Sequence, residues 1–139
     1  MSYFEDLSDY TYFSRVSCAR TKNVGWLDSA HEFNNAAPTE ELLDSIWDFR
    51  KVSVAQTRGI HECGWCPTGP SHYVERKGEK LMLGAAEIRV FAKDGVAYAA
   101  PTLVYHYVSV HHYKPPDEFV RALREGPLPS SPEYFERLK

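Results

Sequence analysis

The chain has 139 residues, a formal net charge of −3, and is 43% hydrophobic and 14% aromatic. That length suits one compact domain over residues 1–139, and so many aromatics on so small a net charge exclude disorder as the main state. The absence of an 18-residue apolar run predicts no membrane span, and 16 Lys and Arg against 19 Asp and Glu argue against a dedicated nucleic-acid surface.

The acidic first ten residues contain no apolar stretch of the kind a signal peptide needs, which places the chain in the cytoplasm. Three cysteines are an odd number, so a disulfide framework is not expected, and Cys18 reads as a small apolar filler. Residues 1–37 sustain neither a helical nor a strand period and read as an irregular, aromatic-rich segment with at most one short strand.

Pro38 to Arg50 is the clearest helix. Thr39 is its N-cap, Glu40 and Glu41 sit in the positive first turn, and Leu42, Leu43, Ile46 and Trp47 form one apolar face. Val52 to Thr57 alternates as a strand does. Residues 59–84 hold glycines, prolines and two cysteines, and read as a long irregular region; Glu75 to Lys80 within it reads as a solvated loop of mixed charge. Glu87 to Phe91 and Val96 to Ala99 are strands around the turn Lys93-Asp94-Gly95. Leu103 to His112 follows as a helix with Pro101 in its first turn, although its valines and tyrosines also suit a strand. Asp117 to Glu125 is a helix with Phe119, Val120 and Leu123 inward, stopped by Gly126, and Ser131 to Phe135 makes a capped final turn.

The sharpest local feature is His61-Glu62-Cys63-Gly64-Trp65-Cys66-Pro67. Two thiolates two residues apart can bind one tetrahedral zinc at about 2.3 Å each. The second ligand pair is expected downstream, at His106 and His111, with His61 in reserve and His72 and His112 as competitors. On a regular helix five residues advance about 500°, so His106 and His111 would point about 140° apart. Both reach one metal only if the helix distorts or ends between them. A cysteine pair, a hairpin and a helix bearing the other ligands follow the order of a treble-clef zinc fold. Cys63 and Cys66 also have the spacing of a redox dithiol, but no βαβ pattern surrounds them.

A Cys2His2 set would be closed and structural. No phosphate-binding glycine loop, nucleophile elbow or zinc-protease helix motif occurs. The His61-Glu62-Cys63 run echoes nucleobase deaminases but lacks their spacing. Asp6, Asp9, Asp28 and Glu87 read as caps and surface charges.

The chain resembles an uncharacterised family of small bacterial cytosolic proteins. The resemblance rests on Arg58-Gly59 with His61, Cys63 and Cys66, on Tyr98-Ala99-Ala100-Pro101, and on His106-Tyr107-Val108 with His111, Tyr113 and Pro115-Pro116. It implies one cytosolic domain and supports His61, Cys63, Cys66, His106 and His111 as the functional cluster, without supplying a substrate. The sequence therefore predicts an α+β protein: a small antiparallel sheet with two or three helices around a treble-clef-like zinc site. It has no assigned catalytic residue, Zn2+ is the expected cofactor, and another protein is the expected partner. A zinc-dependent hydrolase or deaminase, or a nucleic-acid-binding zinc module, is the alternative. An exposed apolar patch at Trp26 or Trp65 would favour the interaction module. A basic face of Arg58, Arg76, Lys77 and Arg89 would favour nucleic acid. The sequence does not fix the oligomeric state.

Overall fold

A computed structural model of the chain describes residues 3–9, 21–50, 63, 65, 73–76, 78–82, 86–129 and 131–138. The strand expected at Val52 to Thr57 lies outside them, as do Cys18, His61, Cys66 and His72.

The architecture is α+β. Strand β1 (Thr21–Asn23) precedes helix α1 (Glu40–Arg50); then come β2 (Tyr73–Arg76), β3 (Glu79–Met82), β4 (Glu87–Phe91) and β5 (Ala97–Pro101). Helices α2 (Val104–His111), α3 (Asp117–Glu125) and α4 (Pro132–Leu138) complete it. The sheet is mixed where an antiparallel one was expected: β4 and β5 pair antiparallel, but β1 joins the other edge of β5 in parallel. Parallel addition needs a long connection, and here it holds α1 and the whole central region of the chain. A second sheet, β2 with β3, occupies part of the region read as irregular. Arg76 pairs with Glu79, and Gly78, just before Glu79, takes φ +80, which glycine adopts without strain. The sequence signal was hidden because the charges crowd at the turn and break the alternation a strand shows.

The β4–β5 turn forms as Asp94-Gly95 predicts. Gly95 has φ +95, the Asp94 carboxylate accepts the Val96 N–H at 3.1 Å, and the Ala92 N–H donates to the Val96 carbonyl at 2.8 Å. Every residue of β4 and β5 is buried. Helices α1 and α3 pack on β4, and residues 3–9 run beside β1, with the Leu7 N–H donating to the Asn23 carbonyl at 2.6 Å.

Helix α1 begins as expected, with the Leu42 N–H donating to Thr39 Oγ1 at 3.1 Å. Leu43, Ile46, Trp47 and Phe49 are buried, and Leu42 packs against them half-buried. Helix α3 turns Phe119, Ala122 and Leu123 inward, while Val120 is only half-buried. Gly126 ends it as expected, with φ −79 and ψ −178, so a positive φ is not the reason for glycine here. Glycine is needed for space instead. A Cβ at Gly126 would lie 1.8 Å from the Phe91 carbonyl oxygen of β4. Helix α4 is longer than the single turn expected. Ser131 Oγ accepts the Tyr134 N–H, and the fully buried Tyr134 donates its hydroxyl to the Arg89 carbonyl at 2.8 Å. Burial pushes that phenol's pKa up to about 12.

Glu87 is not a surface charge. It and Arg89 lie on one face of β4, both almost fully buried, with Arg89 Nη1 donating to Glu87 Oε1 at 2.8 Å. A basic face including Arg89 is therefore not formed. Trp26 is buried as well and donates its indole N–H to the Ala99 carbonyl at 3.0 Å, so it offers no exposed apolar patch.

Two glycines separate space from strain as reasons for glycine. Gly126→Ala should lower stability by about 3 kcal/mol or more, because backbone must move. Gly78→Ala meets nothing within 4 Å and should cost only about 1 kcal/mol for its positive φ. Urea titration of both variants checks the order, and an equal loss would refute the close α3–β4 approach.

Candidate metal centre

The site grows out of the end of β5. Pro101 closes the strand opposite Glu87 and does not begin a helix. The Thr102 N–H donates to the Ala86 carbonyl at 2.9 Å, and α2 starts at Val104 after Leu103. Val104, Tyr105, Tyr107 and Val108 are buried, so the helix is apolar nearly all round. Among its polar residues, His106 and His111 are half-buried.

The 140° divergence expected for these histidines is relieved by the way α2 ends. The His112 N–H donates to the Tyr107 carbonyl, five residues back, and the Tyr113 N–H reaches the same carbonyl at 3.0 Å. This is a wider closure than the regular four-residue ladder, of the π type found at functional sites. His112 then takes the left-handed conformation, φ 58 and ψ 33, and terminates the helix. The extra residue in the closing turn brings the His111 ring back toward His106, with ring centroids 5.1 Å apart.

Cys63 meets them from the other side. Its Sγ lies 3.2 Å from His111 Nε2. One ligand atom each from Cys63, His106 and His111 falls within 4.8 Å of the others, a group that could hold one metal ion. Zinc–sulfur and zinc–nitrogen bonds of about 2.3 and 2.0–2.1 Å at tetrahedral angles separate the ligands by about 3.4–3.6 Å. The Cys63–His111 separation is already close to that, and His106 offers its donor within 4.8 Å of both. Of the expected ligands, the structure thus brings together Cys63, His106 and His111. Cys66 and His61 lie outside the described residues. The competitor His112 is exposed and outside the group.

Cys63 is buried and His111 half-buried. Burial lowers the His111 pKa, which favours the neutral imidazole that binds metals. The wall of the site is aromatic. Trp65 lies 5.3 Å from the His111 ring and packs edge-on against Phe33 and Tyr107 at 5.3 and 6.0 Å. Phe33 in turn meets Tyr113, whose hydroxyl donates to Asp6 Oδ2 at 2.6 Å. Burial, then the Asp6 carboxylate, raise the Tyr113 pKa well above the ordinary value. The other Asp6 oxygen accepts the Gly25 N–H at 3.0 Å. Gly25 has φ +80, and a Cβ there would press on Val104 of α2. Sequence reasoning placed Trp65 near the cysteines but gave no sign that Phe33 and Tyr113 join it, since nothing local links residues so far apart. Tyr105, Tyr107 and Tyr113 are buried in the core and offer no exposed face on which a base could stack.

The chain belongs to the family described as a domain of unknown function (DUF7919), whose pattern spans residues 2–124. That span includes every residue of the cluster and stops short of α4. No curated protein and no solved structure matches the chain.

The two adjacent histidines at the end of α2 should be separable by mutation. His112→Gly removes a side chain from a left-handed position and should raise stability by up to about 1 kcal/mol without changing metal uptake. Thermal unfolding and elemental analysis check both halves, and loss of metal in this variant would place the wrong histidine in the site.

Proposed function

We propose that the chain is a small cytosolic zinc module whose metal is structural and whose work is to bind or mask another protein. Cys63, His106 and His111 supply three ligands and Cys66 the fourth, with His61 in reserve, in a treble-clef-like arrangement. The observation that carries this reading is the convergence of one thiol and two imidazoles, from chain segments more than 40 residues apart, within 4.8 Å. A soft sulfur close to two imidazoles suits zinc. Three cysteines without a disulfide framework suit a reducing compartment.

The same atoms could be read as a thiol–imidazole nucleophile. Against that, Cys63 is buried, where a substrate would not reach its sulfur, and a second imidazole has no part in such a dyad. A zinc hydrolase or deaminase would need a carboxylate beside the metal. Glu87 is committed to Arg89 inside the sheet, and Glu62 lies outside the described residues. The closed structural site is the simpler reading.

Elemental analysis of untagged protein tests it. About one zinc per chain is expected, lost in Cys63→Ser, Cys66→Ser, His106→Gln and His111→Gln and retained in His61→Gln. Because metal binding contributes directly to folding free energy, chelation should lower stability by about 3 kcal/mol or more. Protein that carries no metal and is indifferent to chelator would sink the proposal. Zinc that depends on only three protein residues would revive the hydrolytic reading.

A further inference from the structure

Beside the aromatic wall lies a cleft of about 290 Å³. It is lined by the rings of Tyr3, Phe4 and Phe33 and by the carboxylates of Glu5, Asp6 and Glu32, with no lysine or arginine among its described lining residues. Phe33 and Glu32 continue into a neighbouring hollow that reaches His31 and Trp65. The volume is at the low end for a ligand pocket and suits one long side chain better than a cofactor.

Asp6 is already used by Tyr113 and Gly25. Glu5 and Glu32 are exposed and make no ion pair with a described residue. The cleft thus combines π faces with open carboxylates in a concave space. The protein fills such an arrangement once itself. The flat imidazole of His31 stacks on Tyr3 at 3.8 Å, tilted by only 7°, while its Nδ1 meets the Asp28 carboxylate at 2.6 Å. A planar nitrogen group flat on an aromatic ring with its edge on a carboxylate is also how a guanidinium is held.

We propose that this cleft docks an arginine side chain presented by a protein partner. The guanidinium lies against the aromatic rings and forks onto Glu5 or Glu32. Charge complementarity selects a basic partner, and the plane of the guanidinium selects arginine over lysine. The proposal names the partner chemistry of the interaction module above and rests on that reading for its biological sense. The cleft's own affinity does not depend on zinc chemistry.

The test titrates the zinc-analysed protein with three capped tripeptides, acetyl-Gly-Xaa-Gly-amide with arginine, lysine or the neutral isostere citrulline, followed by NMR shifts of residues 3–9 and 31–35. Arginine should bind about tenfold more tightly than citrulline and about threefold more tightly than lysine, and should weaken as salt rises. Glu5→Gln with Glu32→Gln should cut arginine binding about tenfold, and Phe33→Leu about threefold, with the circular dichroism spectrum of the double glutamine variant unchanged. Citrulline binding as well as arginine, lysine binding as well as arginine, or no shift with arginine overturns the assignment. So does a dimer of the chain broken by the glutamine variants, which would put a second copy in the cleft. Absence of binding to zinc-loaded protein overturns the cleft alone. Binding to protein that never carries zinc upholds the cleft and overturns the metal reading.

Discussion

The position of the candidate site is set by the short junction between β5 and α2. β5 is the central strand, hydrogen-bonded on both edges, and it cannot move without disturbing β1 and β4. Only Thr102 and Leu103 separate its end from α2, and both are buried, with Thr102 tied to the Ala86 carbonyl. The register of the sheet therefore fixes where α2 begins and, through it, where His106 and His111 stand. A site built on regular elements in this way holds two of its three described donors in place before any ligand arrives.

The closing turn of α2 converts that placement into convergence. Two histidines five residues apart are poor partners on an ideal helix. The wider final turn, ended by a left-handed His112, is what makes them neighbours. The aromatic contacts of Trp65, Phe33 and Tyr113 then connect this end of the helix to residues near the N-terminus, and Asp6 fastens the connection by accepting from both Tyr113 and Gly25. The site and the cleft beside it thus share one wall, contributed by segments that are far apart in the chain.

The α+β class, the helices from Glu40 and from Asp117, the Asp94-Gly95 hairpin and three members of the cluster were legible in the sequence, because each carries a local signal: a cap, an apolar period, a turn pair or a ligand spacing. What was not legible is non-local. The parallel addition of β1 to β5 leaves no trace in three residues of sequence. The hairpin at residues 73–82 is masked by charges bunched at its turn. Glu87 read as a surface charge because composition says nothing about which strand will be covered on both faces. Gly126 was recognised as a helix stop, but the reason, the Phe91 carbonyl pressed against it, belongs to packing and not to backbone preference.

The Glu87–Arg89 pair has a consequence for how this sequence can change over time. Two opposite charges inside a sheet tolerate joint replacement by apolar residues of similar volume, often without loss, whereas removing either one alone strands the other and costs about 3–5 kcal/mol. A whole domain commonly has only about 5–15 kcal/mol in hand. Single-step drift at these two positions is therefore nearly closed, and relatives should carry either both charges or neither.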